Sequence, residues 1–212
     1  MVSANREKLK SLLIKERSLY KERNPKSFEY FNNANNLFGK VPMTWMNKWS
    51  GGFPIYLDYA KGNTIVSVDG HSYIDFALGD TAAMAGHSPD AVSEAINNRY
   101  TKKGGATTML PTEDAQWVAS ELKNRFKVSL WSFSLSATDA NRWALRLARM
   151  VTKRPKVLAV SYGYHGTVDE TFVVSGKNGE TLLRPGNVGS PVDVSETTRV
   201  AEFNDLESVE KA

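Results

Sequence analysis

The chain has 212 residues, 41% of them hydrophobic and 24% charged, with a formal net charge of +4 and no cysteine. That length and mixture suit a folded chain of one large domain or one and a half, and the missing thiols exclude disulfide scaffolds, thiolate zinc sites, iron–sulfur clusters and cysteine nucleophiles. The basic excess is local, because residues 1–48 hold ten Lys/Arg against four Glu. Acidic residues are interspersed there and no long run of like charge occurs, so a solvated helix face is expected rather than a nucleic-acid arm. No apolar stretch is long enough for a membrane helix, and a cytoplasmic protein is expected. The three histidines, His71, His87 and His165, are too scattered to suggest a metal centre.

Leu9, Leu12, Leu13, Leu19 and Tyr20 recur near helical spacing, predicting an amphipathic helix from Ser3 to about Arg23 that Asn24-Pro25 stops. The stretch from Asn32 to Gly52 has neither period and is expected to be an ordered loop, with Trp45, Met46 and Trp49 withdrawn from water into core or substrate pocket. Ile55–Tyr59, Thr64–Val68 and Ser72–Phe76 predict antiparallel strands, the last two joined by an Asp69-Gly70 turn that demands positive φ. Ser88, as N-cap, and Pro89, at the first helical position, open a helix through Ile96.

Past Pro111-Thr112 the rhythm changes. Ala115, Val118, Ala119, Leu122 and Phe126 mark a one-faced helix, followed by a predicted strand over Leu130–Ser136, a helix over Asp139–Thr152 and a strand over Lys156–Ser161. Strand, helix, strand at this spacing predicts a βαβ unit and a parallel sheet. Thr171–Val174 and Arg199–Phe203 predict further strands, separated by a Gly/Pro-rich stretch. Asn204 and Glu207 resemble a capping box opening a last helix, of which only a turn or two follows, as in an interrupted domain.

Parallel sheets place ligands at the carboxyl ends of strands, where helix N-termini present free amides. Ser136-Ala137-Thr138 is the best such place: small residues and two hydroxyls at a helix start form a cup for a phosphate. The alternative is an ordinary N-cap box. Ser161–Gly166 follows the next strand, with Tyr164 flanked by glycines and suited either to stacking on a planar ring or to packing under a turn. His165 is read as structural rather than as a base.

Ser136-Ala-Thr-Asp-Ala-Asn141, the Arg142–Arg149 segment after it and Gly163-Tyr-His-Gly166 resemble the class III aminotransferases and glutamate-1-semialdehyde aminomutases, which are fold-type-I pyridoxal-phosphate enzymes. Val68–Asp75 and Gly86-His-Ser-Pro89 are similar to the same family, and Leu78–Pro89 to a branch that includes β-amino-acid aminotransferases. Ala137 and Asp139 stand where the family usually has Gly and Glu. The resemblance implies an α/β fold: residues 1–77 as helix, loop and antiparallel strands of a small domain, and 78–212 as the first part of a large, mostly parallel cofactor domain. It implies pyridoxal 5'-phosphate as cofactor, with Ser136, Ala137 and Thr138 at its phosphate and Tyr164 on its ring. It further implies amino-group transfer between an amino acid and a keto acid, in a homodimer. The family's catalytic lysine and pyridine-facing carboxylate lie beyond the Tyr-His-Gly motif; Lys177 and Lys211 stand in no similar context, so no catalytic residue is assigned and a truncated enzyme is expected. The alternative is a non-catalytic phosphate-binding fragment that needs a complementary chain.

Overall fold

The computed structural model describes residues 5–212, and the start of the predicted first helix at Ser3 lies outside them. The chain divides into two compact units between Leu110 and Pro111.

In the first unit, α1 (Arg6–Arg23) begins where the Asn5 side chain accepts from the Lys8 amide. Asn24 ends α1, but Pro25 then starts a second helix, α2 (Pro25–Asn33), which the sequence reading missed. Proline stops a helix only from inside it; at the first position its missing N–H and fixed φ cost nothing. Phe53, almost fully buried, collects Tyr20 at 4.8 Å and Phe28 at 5.2 Å between ring centroids. The apolar face expected of α1 is otherwise uncovered, with Leu9, Leu12 and Leu13 all exposed. Trp45 and Trp49, expected out of water, are 57% and 43% exposed, because Thr44–Asn47 forms only one tight 3₁₀ turn and brings no second layer over them.

A meander follows: β1 (Leu57–Lys61), β2 (Thr64–Ser67) and β3 (Ser72–Ile74), all antiparallel. The β2–β3 turn differs from the two-residue form. Only Gly70 has positive φ, and its amide donates to the Ser67 carbonyl at 2.8 Å, so the loop has three residues ending in a left-handed glycine. Asp69 is thereby turned toward the start of α2. Its carboxylate accepts from the Lys26 amide at 2.7 Å, the Ser27 amide at 3.2 Å and Ser27 Oγ at 2.5 Å. Ser27 is fully buried and its Oγ also accepts from the Tyr56 amide. His71 Nε2 closes the clasp on the Arg23 carbonyl at 2.7 Å.

α3 (Asp90–Asn98) starts one residue later than expected, with Pro89 rather than Ser88 at its N-cap. Ser88 has φ +49° and is tied to the sheet instead, its Oγ donating to the Ala60 carbonyl while the Ser88 carbonyl accepts from Lys61 Nζ. Asp75 accepts from His87 Nε2 at 2.6 Å and from the amides of Ala77 and Leu78, and these hydrogen bonds, His87 first, hold its carboxyl below the ordinary value.

Tyr20 Oη donates to the Phe53 carbonyl at 3.0 Å; burial above all, then the neighbouring Tyr73 and Asp69, pushes its pKa from 10.0 up to about 12. An unfolded tyrosine ionises first as pH rises, so the folded unit is expected to keep its stability below pH 10 and lose it on the way to 12. Denaturant unfolding across that range is expected to show the decline, and Tyr20→Phe to flatten it.

In the second unit, α4 (Glu113–Phe126) and α5 (Ala137–Thr152) each end in a left-handed lysine, Lys127 and Lys153. β4 (Val157–Val160) pairs in parallel with β7 (Thr198–Ala201), and β5 (Val173–Ser175) with β6 (Thr181–Leu183) as an antiparallel hairpin. Ala159, Val173, Val194 and Val200 form the core. The predicted strand over Leu130–Ser136 forms no ladder: a strand exists only against a partner backbone, and none among the described residues flanks it, leaving Leu130, Phe133 and Leu135 exposed. The parallel pairing expected for the βαβ unit therefore falls to β4 and β7, and the other pairings are antiparallel. β6, absent from the sequence reading, is three residues set in the Gly/Pro-rich stretch. After the short α6 (Val194–Thr197), α7 (Leu206–Lys211) is capped by Asp205, whose carboxylate accepts from the Ser208 amide, and not by Asn204, which takes φ +59°. No described helix is long and apolar enough to cross a membrane.

Candidate cofactor site

The start of α5 gathers a cluster of polar groups. Ser136 is the N-cap: its Oγ accepts from the Asp139 amide at 3.2 Å and donates to the Asp139 carboxylate at 3.0 Å. The N-cap reading of Ser136 thus describes its hydroxyl, which is committed to its own helix. Thr138 Oγ1 accepts from the Thr167 amide at 3.0 Å and keeps its own proton available. Between these side chains the amides of Ala137 and Thr138, the first two of the helix, have no hydrogen bond among the described residues. Two free amides at the positive end of a 16-residue helix are a site for an anion.

The loop after β4 lies directly on that helix start. Asn141 Nδ2 donates to the His165 carbonyl at 2.9 Å, one helical turn on from Thr138, so a single face of α5 grips the loop twice. Gly166 makes the approach possible. With φ +79°, it sits where an added Cβ would stand 2.3 Å from Thr138 Oγ1 and 2.8 Å from Thr138 Cα. Tyr164 and His165 are thereby brought to the helix N-terminus; Tyr164 is exposed, and His165 contributes its carbonyl. The sequence reading gave Asn141 no role, although its i+3 spacing from Thr138 was the available signal.

Lower on α5, Arg149 Nη1 reaches Glu170 at 2.8 Å and Arg149 Nε donates to the Pro155 carbonyl at 2.8 Å. Burial alone would raise the Glu170 carboxyl, but the Arg149 hydrogen bond and the charges of Arg149 and Arg142 outweigh it, and it lies below its ordinary value. The helix is thus fastened both at its start and near its end. The cradle fits a phosphate: free amides, a small side chain at Ala137, and a neighbouring loop that only glycine admits.

Comparison with known proteins places the chain in a family. The family model for Aminotransferase class-III matches residues 45–207. A glutamate-1-semialdehyde 2,1-aminomutase of Sulfurihydrogenibium azorense is 38% identical over 192 residues, covering 88% of this chain and 44% of the relative. Among solved structures, a glutamate-1-semialdehyde aminomutase from Pseudomonas aeruginosa PAO1 superposes with a TM-score of 0.87 at 38% identity, covering 99% of this chain and 46% of that one. A variant of that enzyme was solved in complex with PMP. A β-phenylalanine aminotransferase from Variovorax paradoxus gives a TM-score of 0.70 at 25% identity, covering 95% of this chain and 43% of its own. The chain spans under half the length of these relatives. With a family match over most of the sequence, the chain belongs to the class III aminotransferases and carries part of their fold-type-I α/β architecture.

Proposed function

We propose that this chain contributes the phosphate cup and the ring-stacking face of a pyridoxal-phosphate aminotransferase that moves an amino group between an amino acid and a keto acid. The observation that carries the reading is the pair of free amides at Ala137 and Thr138 beneath a loop bearing Tyr164. When bound, the cofactor supplies an electron sink for the substrate's α-carbon. The chain's own residues bind and orient. The amides of Ala137 and Thr138 take the phosphate oxygens, Thr138 Oγ1 adds its proton, and Ser136 acts through Asp139 by fixing where the helix begins. Tyr164 offers its exposed ring to the pyridine plane. Lys153 lies at the far end of α5, Lys156 donates to the Ser195 carbonyl and Lys211 pairs with Glu207, and no residue of this chain is assigned as the covalent lysine. A homodimer belongs to the same reading, and sedimentation at several protein concentrations tests it.

Ala137→Pro isolates the cup. Proline at the first helical position removes one N–H and suits both the helix and the extended backbone of Ser136 (φ −152°, ψ 159°). Pyridoxamine phosphate affinity is expected to fall about tenfold, the effect of about 1.4 kcal/mol for one charge-assisted bond, with the melting temperature unchanged. Equal affinity in both proteins overturns the reading.

A second reading is favoured by Trp117, Phe126, Trp143, Leu147 and Met150, which leave the apolar faces of α4 and α5 exposed. In it, the chain is a non-catalytic phosphate-binding piece completed by another polypeptide, and co-purification with a chain carrying the lysine supports it.

A further inference from the structure

We infer that Arg184 is a positioning residue for Tyr164, an inference that rests on Tyr164 facing the cofactor ring. Tyr162 has φ +58°, a left-handed conformation that a bulky residue adopts only when its surroundings impose it. The turn it makes sets the direction in which the next residues, Gly163 and Tyr164, leave β4. Arg184 supplies the imposition. Its Nη1 donates to the Gly163 carbonyl at 3.2 Å and the Tyr162 carbonyl at 3.4 Å, gripping the two peptide groups on either side of Gly163. The guanidinium lies 5.9 Å from the Tyr162 ring centre and 5.3 Å from that of Phe172, within cation–π range of both.

The clamp itself is anchored. The Arg184 amide donates to the Phe172 carbonyl at 3.1 Å, the Asn187 amide returns to the Arg184 carbonyl at 2.8 Å, and Asn187 Nδ2 adds a second bond to Phe172. Arg184 therefore projects from a fixed point just past β6 and holds the loop at Tyr162 and Gly163, where Thr138 and Asn141 hold it at Thr167 and His165. Gly163 is tied back as well: its amide donates to the Val160 carbonyl at 2.9 Å, and an added Cβ would stand 2.9 Å from that oxygen and from His165 Nε2. Between the Gly163 carbonyl, held by Arg184, and the His165 carbonyl, held by Asn141, stands Tyr164, and its ring takes its direction from both grips. Lysine cannot replace this clamp in full, because the planar fork both donates and stacks.

Arg184→Met and Arg184→Lys, with Tyr164→Leu and the double variant Arg184→Met/Tyr164→Leu, test the inference in the full chain. Without ligand, amide exchange over residues 161–167 is expected to rise about tenfold in Arg184→Met and less in Arg184→Lys, with α4 unaffected. Pyridoxamine phosphate affinity is expected to fall about fivefold in Arg184→Met and in Tyr164→Leu, and no further in the double variant, while inorganic phosphate binds all of them alike. Unchanged exchange overturns the clamp, and additive losses overturn its action through Tyr164. If Tyr164→Leu binds pyridoxamine phosphate as the unaltered chain does, the ring-facing reading falls and this inference with it; the exchange result still reports the clamp separately. Should Arg184→Met fail to fold, Arg184→Lys carries both comparisons.

Discussion

Replacing Gly166 with alanine is expected to unseat the loop after β4 from α5 and to cost about 3 kcal/mol or more. Two penalties combine at that position. The backbone sits at φ +79°, and the new methyl would stand 2.8 Å from Thr138 Cα, a backbone atom with nowhere to go. Relief requires the loop to lift, which breaks the Thr167–Thr138 and Asn141–His165 hydrogen bonds together. Gly179, at the tip of the β5–β6 hairpin, separates the two penalties: its φ is +81°, yet nothing lies within 4 Å of its Cβ position. Gly179→Ala is therefore expected to cost only the conformational part, about 1 kcal/mol. Thermal melts followed by circular dichroism measure both, and equal destabilisation of the two variants would refute the close approach at Thr138.

Asp69→Ala is expected to destabilise the first unit by about 2–3 kcal/mol, because it removes the carboxylate that caps α2 and leaves a buried serine hydroxyl short of its acceptor. Asp69→Asn keeps one oxygen and is expected to lose about half as much. The same contact has a signature in acid. Burial would raise the Asp69 carboxyl, but the hydrogen bonds from Ser27 Oγ and the amides of Lys26 and Ser27 prevail and lower it from its ordinary 3.8, helped by His71. A carboxyl lowered in the folded state stabilises above the unfolded value and loses that contribution as pH falls through 3.8 toward the folded one. Urea unfolding from pH 6 to about pH 2 is expected to show a shallower acid slope for Asp69→Ala than for the unaltered chain.

Where local chemistry decides, the sequence was legible. α4 and α5 follow their apolar periods and start signals, and the β2–β3 hairpin follows Asp69-Gly70. Elements that depend on a partner were not legible. Leu130–Ser136 has the composition of a strand but no backbone beside it, whereas β6 is a strand because β5 is there to pair with it. At the site, the motif fixed which residues gather but not which atoms stay available. The helix-start amides were read together with two hydroxyl donors; the Ser136 hydroxyl is spent on Asp139, while the amides of Ala137 and Thr138 have no partner among the described residues. Arg184 carried no local signal, since its grip on the loop spans 21 and 22 positions of sequence.

The parallel pairing of β4 with β7 has a kinetic consequence. Val157 meets Thr198 and Val160 meets Ala201, so every rung of that ladder closes the same long loop, and the whole β5–β6 hairpin lies inside it. α4, α5 and the hairpin are built from near neighbours and form on the microsecond scale, roughly, before such a closure is complete. Joining β4 to β7 is then expected to set the folding rate of the second unit, and Val200→Ala, on buried β7, is expected to slow stopped-flow refolding.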